Sequence, residues 1–233
     1  MGRLLVARLG RTAYEECWDL QRRLFEARAA GRVPDLLLLT EHDHVYTIGK
    51  GGNAAHLLAG EEELRHRGVT VVMNDRGGDI TYHGPGQLVG YPILDLKEHG
   101  RDLHRYLRDL EEAVIRTLGA FGIAAERLEP YTGVWTGGEK LCAIGVKTSR
   151  WVTMHGFALN VDPDLGWFGR IIPCGIFERG VTSMAAVLGR PVPITRVEEV
   201  LIGEFAAVFG AEPEPVDGGR VAEGDFAEAP RFS

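Results

Sequence analysis

The sequence predicts an α+β fold: a single domain in which a mixed β-sheet is flanked by helices. Three observations predict it. The segments run helix, several strands, helix, hairpin-linked strands, then helices, which is not the strict strand–helix alternation of a doubly wound parallel sheet. The 233 residues are 45% hydrophobic and 25% charged, the balance of a globular chain able to bury a sizeable core. No internal repeat divides the chain, whose length suits one domain of about 200 residues. The domain is expected over residues 1–210. An acidic, Pro/Gly-rich tail over 211–233 is expected to be loosely ordered or draped over the body.

The elements follow from local pattern. Thr12 and Glu15 read as a capping box, and Tyr14, Cys17, Trp18, Leu24 and Phe25 then recur at helical spacing until Gly31. Cys17 falls on that buried stripe and reads as a small core residue. Leu36 to Leu39 fit a strand buried on both faces, with Val45–Ile48 and Val69–Val72 as two more. From Asp79 to Asp95, alternation mixed with Gly and Pro suggests strands around a tight glycine-rich loop. A long amphipathic helix follows, with Leu103, Leu107, Leu110, Val114 and Leu118 on one face, closed by Gly119 and Gly122. Val134–Thr136, the turn Gly137-Gly138 and Leu141–Thr148 read as a hairpin, and a second turn near Arg150 leads into Val152–Val161. The last helix is expected to start at Thr195, in a capping box with Glu198, and to end at Gly210.

Charge and cysteine usage exclude several classes. The net charge is −7, of which six acids and two arginines in 211–233 supply −4, leaving −3 for the first 210 residues. An acidic chain does not neutralise phosphates as a dedicated nucleic-acid binder must, nor carry the polybasic face of a lipid-surface protein. No apolar run of about 18 residues is present for a membrane span. The segment Met1–Arg8 is too short in its apolar run for a secretory signal and lacks a cleavage site. Three cysteines without a CxxC pair form neither a disulfide framework nor a zinc site, so a reducing cytoplasm is expected. His42 and His44 make an H-x-H pair without a third ligand at recognisable spacing, and no metal is expected there.

Chemistry concentrates in two places. Arg76 to Gln87 (Arg76, Gly77, Gly78, Asp79, Ile80, Thr81, Tyr82, His83, Gly84, Pro85, Gly86, Gln87) sets a cation, a phenol, an imidazole and an amide among glycines that permit close backbone approach. It is neither a P-loop nor a GxGxxG fingerprint, so nucleotide binding has no direct support, and a decorated hairpin loop remains open. The second place is Pro173-Cys174-Gly175, where a thiol stands in a loop between a fixed φ and a permissive one. Cys174 reads equally as a reactive thiol or as a loop residue, whereas Cys142 lies inside an alternating strand and reads as buried. A nucleophilic thiol needs a nearby cation or base, for which Lys140, Lys147, His83 and His155 are candidates that spacing does not separate.

The run from Arg76 to Tyr91 closely resembles the signature of the lipoyl(octanoyl) transferases. Glu41-His42-x-x-Val45-Tyr46-Thr47-x-Gly49, Lys140 to Gly145, His155 to Asn160 and Ile172 to Gly175 match further blocks in family order, with weaker similarity to about residue 210. The resemblance implies a fold like the catalytic domain of biotin and lipoate protein ligases. It implies transfer of an octanoyl group from octanoyl-acyl carrier protein to a specific lysine on lipoyl domains of 2-oxoacid dehydrogenases or on the glycine cleavage H protein. By the same resemblance Cys174 carries the acyl group as a thioester, Lys140 assists it, and no cofactor is needed. Residues 76–83, Ala143, Ile144 and Gly145, and Gly156, Phe157 and Ala158 would then line the acyl site, with His83 either moving protons or bracing the loop. The alternatives are an ATP-dependent lipoate or biotin protein ligase of the same fold, and a non-catalytic module that docks carrier proteins or lipoyl domains. Because both partners are typically acidic, Arg101, Arg105 and Arg108, or Arg150, Arg170 and Arg179, are expected to offer a local basic docking face.

Overall fold

Four consecutive leucines fix the centre of the molecule. In β2 (Asp35–His42), Leu36 and Leu38 enter one apolar cluster while Leu37 and Leu39 enter another, and all four are fully buried. That is the signature of a strand covered on both faces. The computed structural model describes residues 2–172 and 179–223.

Around this strand runs an eight-stranded sheet. To the N-terminal side, β1 (Gly2–Thr12) pairs parallel to β2, and β11 (Ala211–Val216) pairs parallel to β1 at the edge. To the other side, β6 (Gln87–Ile93), β10 (Val152–Asn160), β9 (Glu139–Ser149), β8 (Tyr131–Thr136) and β7 (Glu126–Leu128) follow, all antiparallel to their neighbours. Helix α1 (Tyr14–Ala29) and the short α6 (Gly218–Glu223) cover one face. Helices α3 (Leu103–Ala120) and α5 (Ile194–Phe209) cover the other, with α4 (Met184–Leu188) at its margin. A small sheet of β4 (Thr70–Met73), β3 (Val45–Ile48) and β5 (Ile80–His83) stands beside these layers. It packs on α2 (Glu61–His66) and on a 3₁₀ turn, Leu165–Arg170. The mixed sheet between helices is the architecture expected from the sequence.

Several local expectations fail for identifiable reasons. Thr12 does not cap α1: it ends β1, where its hydroxyl is 2.9 Å from Thr40 Oγ1 and 3.2 Å from His42 Nδ1, and Ala13 occupies the cap position. Thr195 likewise lies inside α5, whose cap position is Pro193. In α3 the buried stripe is Tyr106, Leu110, Ala113, Val114, Thr117 and Leu118; Leu103 is exposed in the first turn, and Leu107 is not buried. Residues 211–216 form a parallel edge strand despite Pro213 and Pro215. Residues two apart send their amides the same way, so the prolines remove only outward donors and leave the ladder to β1 intact.

The Gly137-Gly138 turn agrees with its residues, whereas the Arg150-Trp151 turn adopts positive φ without glycine. Gly137 and Gly138 have φ +56° and +83°, and Arg150 and Trp151 have φ +53° and +67°, both two-residue turns with the positive angles that match strand twist.

Candidate functional site

The face of the main sheet under the small sheet is built from small side chains. Register places Ala158 of β10 between Val89 of β6 and Ala143 of β9, and Gly156 opposite Gly145. Above this floor stand Thr81 and His83 of β5, the loop at Arg76–Gly78, and Tyr14 from the first turn of α1. Between floor and cover lies a half-open pocket. Lys140, at the start of β9, lines it too.

The loop is held by Arg76, whose guanidinium is buried. Nη2 donates to Thr47 O (2.8 Å), Thr47 Oγ1 (3.0 Å) and Asp79 O (2.7 Å), and Nη1 donates to Gly77 O (3.0 Å). One cation thereby ties strand β3 to the loop through the carbonyls of Thr47, Gly77 and Asp79. Close approach of loop to sheet requires glycine at 145, where a Cβ would lie 2.9 Å from Gly77 O.

Arg76, Gly78, Ile80, Thr81, His83, Lys140, Ala143, Ile144, Gly145, Gly156, Phe157 and Ala158 come together on this pocket. Gly77, Asp79 and Tyr82 do not line it. Gly77 donates its amide to Val146 O. The Asp79 carboxylate holds the Asn53 amide and the His56 ring. Tyr82 points into the small sheet's own core, stacked on Trp167 and hydrogen-bonded to His44. Cys174 lies outside the described residues. On either side of it, Ile172 N donates to His56 O, and Lys140 N donates to Gly180 O while Thr182 N donates to Lys140 O.

Tyr14, Val89, Tyr91 and His155 also line the pocket. Tyr14 reads in the sequence as part of a core stripe, and it is indeed buried, but its ring stacks on His83 at 5.8 Å and its hydroxyl accepts from Asn74 Nδ2. Tyr91 ends the motif that begins at Arg76, and its hydroxyl is 2.7 Å from His42 Nε2. His42 and His44 therefore serve different tyrosines, and among the described residues no group of three or more His, Cys, Asp or Glu side chains is placed to hold a metal.

Electrostatics behind the pocket are set by burial. His83, with Nδ1 2.7 Å from Gln87 Oε1, is pushed down to about 3, and His42 to about 4. His155, in the left-handed region at φ +59°, is pushed down to about 4 by burial although Asp75 accepts at 2.8 Å from its Nε2. Burial opposes the Asp75 charge, but Lys147 and His155 together hold its carboxyl below the usual range. Each buried histidine binds its proton less readily in the folded state than in the unfolded one. Stability is thus full above about pH 6.5 and falls as the pH drops toward the folded values, by about 1.4 kcal/mol per pH unit for each histidine. The urea midpoint should fall between pH 7 and pH 5, and an unchanged midpoint contradicts the assignment of neutral, buried rings.

The arginines named for docking are largely engaged. Arg105 and Arg108 pair with Asp109 and Glu111 on their own helix, Arg150 with Glu26, and Arg170 with Glu63.

Residues 13–206 match the family model of the lipoyl protein ligase A/B catalytic domain. Among curated proteins, the octanoyltransferase of Rubrobacter xylanophilus is 56% identical over 203 residues, covering 86% of this chain and 91% of the relative. The octanoyltransferase of a Roseiflexus species is 52% identical over 219 residues, covering 93% and 91%. Among solved structures, lipoate-protein ligase A bound with ATP superposes with a TM-score of 0.76 at 19% identity, covering 96% of this chain and 93% of that one. A biotin protein ligase from Aquifex aeolicus in complex with biotin and ATP gives 0.55 at 16% identity, covering 89% and 71%. At these identities the structural likenesses establish the fold.

Proposed function

The chain belongs to the octanoyltransferases of the lipoyl protein ligase A/B catalytic-domain family, and on that premise we propose that it transfers an octanoyl group from octanoyl-acyl carrier protein to a lysine of lipoyl domains, through a Cys174 thioester assisted by Lys140. It is an acyltransferase of lipoate biosynthesis. The observation that carries the finer reading is the pocket itself, floored by Ala143, Gly145, Gly156 and Ala158, with Lys140 among its lining residues.

The chemistry balances without a cofactor. The Cys174 thiolate attacks the carrier thioester, the carbon–sulfur bond to Cys174 forms, and the carrier thiolate leaves, taking a proton from the Lys140 ammonium. Exchange of one thioester for another is nearly even in energy, so no ATP is required. The neutral Lys140 amine then accepts a proton from the acceptor lysine. That lysine attacks the thioester, the amide bond forms, and the Cys174 thiolate leaves beside the restored ammonium while the second amine proton passes to solvent. Both tetrahedral intermediates carry an oxyanion, for which backbone N–H groups of the glycine-rich walls are the natural donors.

Chain connectivity supports the pairing. Cys174 is two residues from Ile172, a reach of at most about 7 Å, and Lys140 is bonded through its backbone to Gly180 and Thr182 beyond the same segment. Acceptors in this reading are lipoyl domains of 2-oxoacid dehydrogenases and the glycine cleavage H protein. A reducing cytoplasm keeps such a thiol free, and it is the compartment this reading expects.

The test is transfer from octanoyl-acyl carrier protein to a lipoyl domain in nucleotide-free buffer. Full transfer is expected, with no gain on adding ATP. Transfer that appears only with ATP makes the chain a ligase, and binding of both partners with no transfer makes it a docking module.

A further inference from the structure

Among the described residues Trp135 is the largest fully buried side chain, 1% exposed, yet it belongs to none of the apolar clusters they form. Its ring instead lies under the amine of Lys140, with Nζ 4.8 Å from the ring centroid. Lys140 is itself buried, 7% exposed.

The strand pairing is irregular at this point. Val134 pairs with Cys142, and the next residue, Trp135, pairs with Lys140, so Leu141 is the extra residue of a β-bulge. In unbroken register Trp135 would oppose Leu141, which packs in the core on the α3–α5 side. Bulges of this kind re-aim a side chain beside a functional site. Beside this pair, glycine stands at 133, with its amide donated to the buried carboxylate of Glu111 (3.0 Å), and a Cβ there would lie 3.7 Å from Lys140 Cε.

The choice of tryptophan is informative. Its indole Nε1 is buried without an acceptor among the described residues. A buried indole N–H ordinarily finds a partner, and phenylalanine or leucine would fill space with no such penalty. What tryptophan supplies that they do not is the strongest aromatic face for a cation.

We infer that Trp135 is a positioning residue that holds the Lys140 side chain at the pocket by a cation–π contact aimed by the β8–β9 bulge. The inference rests on the Lys140–Cys174 reading above. It acts on the reaction through Lys140: the held cation favours the Cys174 thiolate, and Trp135 need not touch the substrate.

The test follows the alkylation rate of Cys174 by iodoacetamide against pH, with the modified residue identified by mass spectrometry, in wild type, Trp135→Leu, Trp135→Phe and Lys140→Ala. Trp135→Leu is expected to lower the rate at pH 7 about tenfold and to move its pH profile upward, with Trp135→Phe in between. A residue that only fills space would leave that profile unmoved in a folded variant. A folded Trp135→Leu protein with the wild-type profile overturns the inference, provided Lys140→Ala does shift it. If Lys140→Ala leaves the profile unmoved as well, the Lys140–Cys174 reading fails first. Should Trp135→Leu not fold, a ring-fluorinated tryptophan placed at 135 keeps the shape while depleting the face, and the same slower alkylation is expected; an unchanged rate there overturns the inference.

Discussion

Replacing Lys140 by alanine is expected to lower kcat/KM for octanoyl transfer by about 10³-fold while leaving the urea midpoint close to wild type. The size of the effect comes from two roles in one side chain, a cation for the thiolate and an acceptor for the proton of the incoming lysine. Lys140→Arg separates them, because a guanidinium keeps its charge but does not give up a proton. The arginine variant should recover much of the acylation of Cys174 and little of the transfer to the acceptor lysine. Single-turnover measurements of the two half-reactions check this. Near-normal turnover in Lys140→Ala would assign the activation of the thiol to another group.

Gly156→Ala is expected to destabilise the protein by about 3 kcal/mol and to abolish the pocket. The reason is backbone geometry. A Cβ at 156 would sit 2.1 Å from Gly90 O and 2.6 Å from the Pro92 ring, and a carbonyl in the sheet cannot swing away as a side chain can. Relief requires β10 to part from β6, the two strands that carry Ala158 and Val89 on the pocket floor. Gly169→Ala is the control, since a Cβ there meets nothing within 4 Å. Urea melts of the two variants decide it, and equal midpoints contradict the tight packing of β10 on β6.

Much of this was legible in the sequence because it is encoded locally. Leucine runs, hairpin glycines and the αL glycine after α5 declare strands and helix ends by their own physics. The lining of the pocket came from the family resemblance alone, because neither Ala143-Ile144-Gly145 nor Gly156-Phe157-Ala158 declares a pocket by its own pattern. What escaped depends on tertiary context. β1 holds only four consecutive buried apolar residues, Leu4 to Ala7, and takes its definition from β2 and β11 on either side. Thr12 has the spacing of a cap, but neighbours brought by β2 claim its hydroxyl. Tyr14 has no motif of its own as a pocket residue, because its stacking on His83 arises only when α1 packs on the sheet. Trp135 has no signal of its own within the hairpin strand 134–136, and only the bulge reveals what it faces.

The central claim is a covalent octanoyl-enzyme on Cys174, and intact-protein mass spectrometry after incubation with octanoyl-acyl carrier protein, without ATP and without acceptor, tests it most directly. The account predicts one octanoyl group added to the wild-type chain, located on Cys174 by peptide mapping, absent from Cys174→Ser, and discharged when a lipoyl domain is supplied. No added mass on the wild type, or the same adduct on Cys174→Ser, would contradict it.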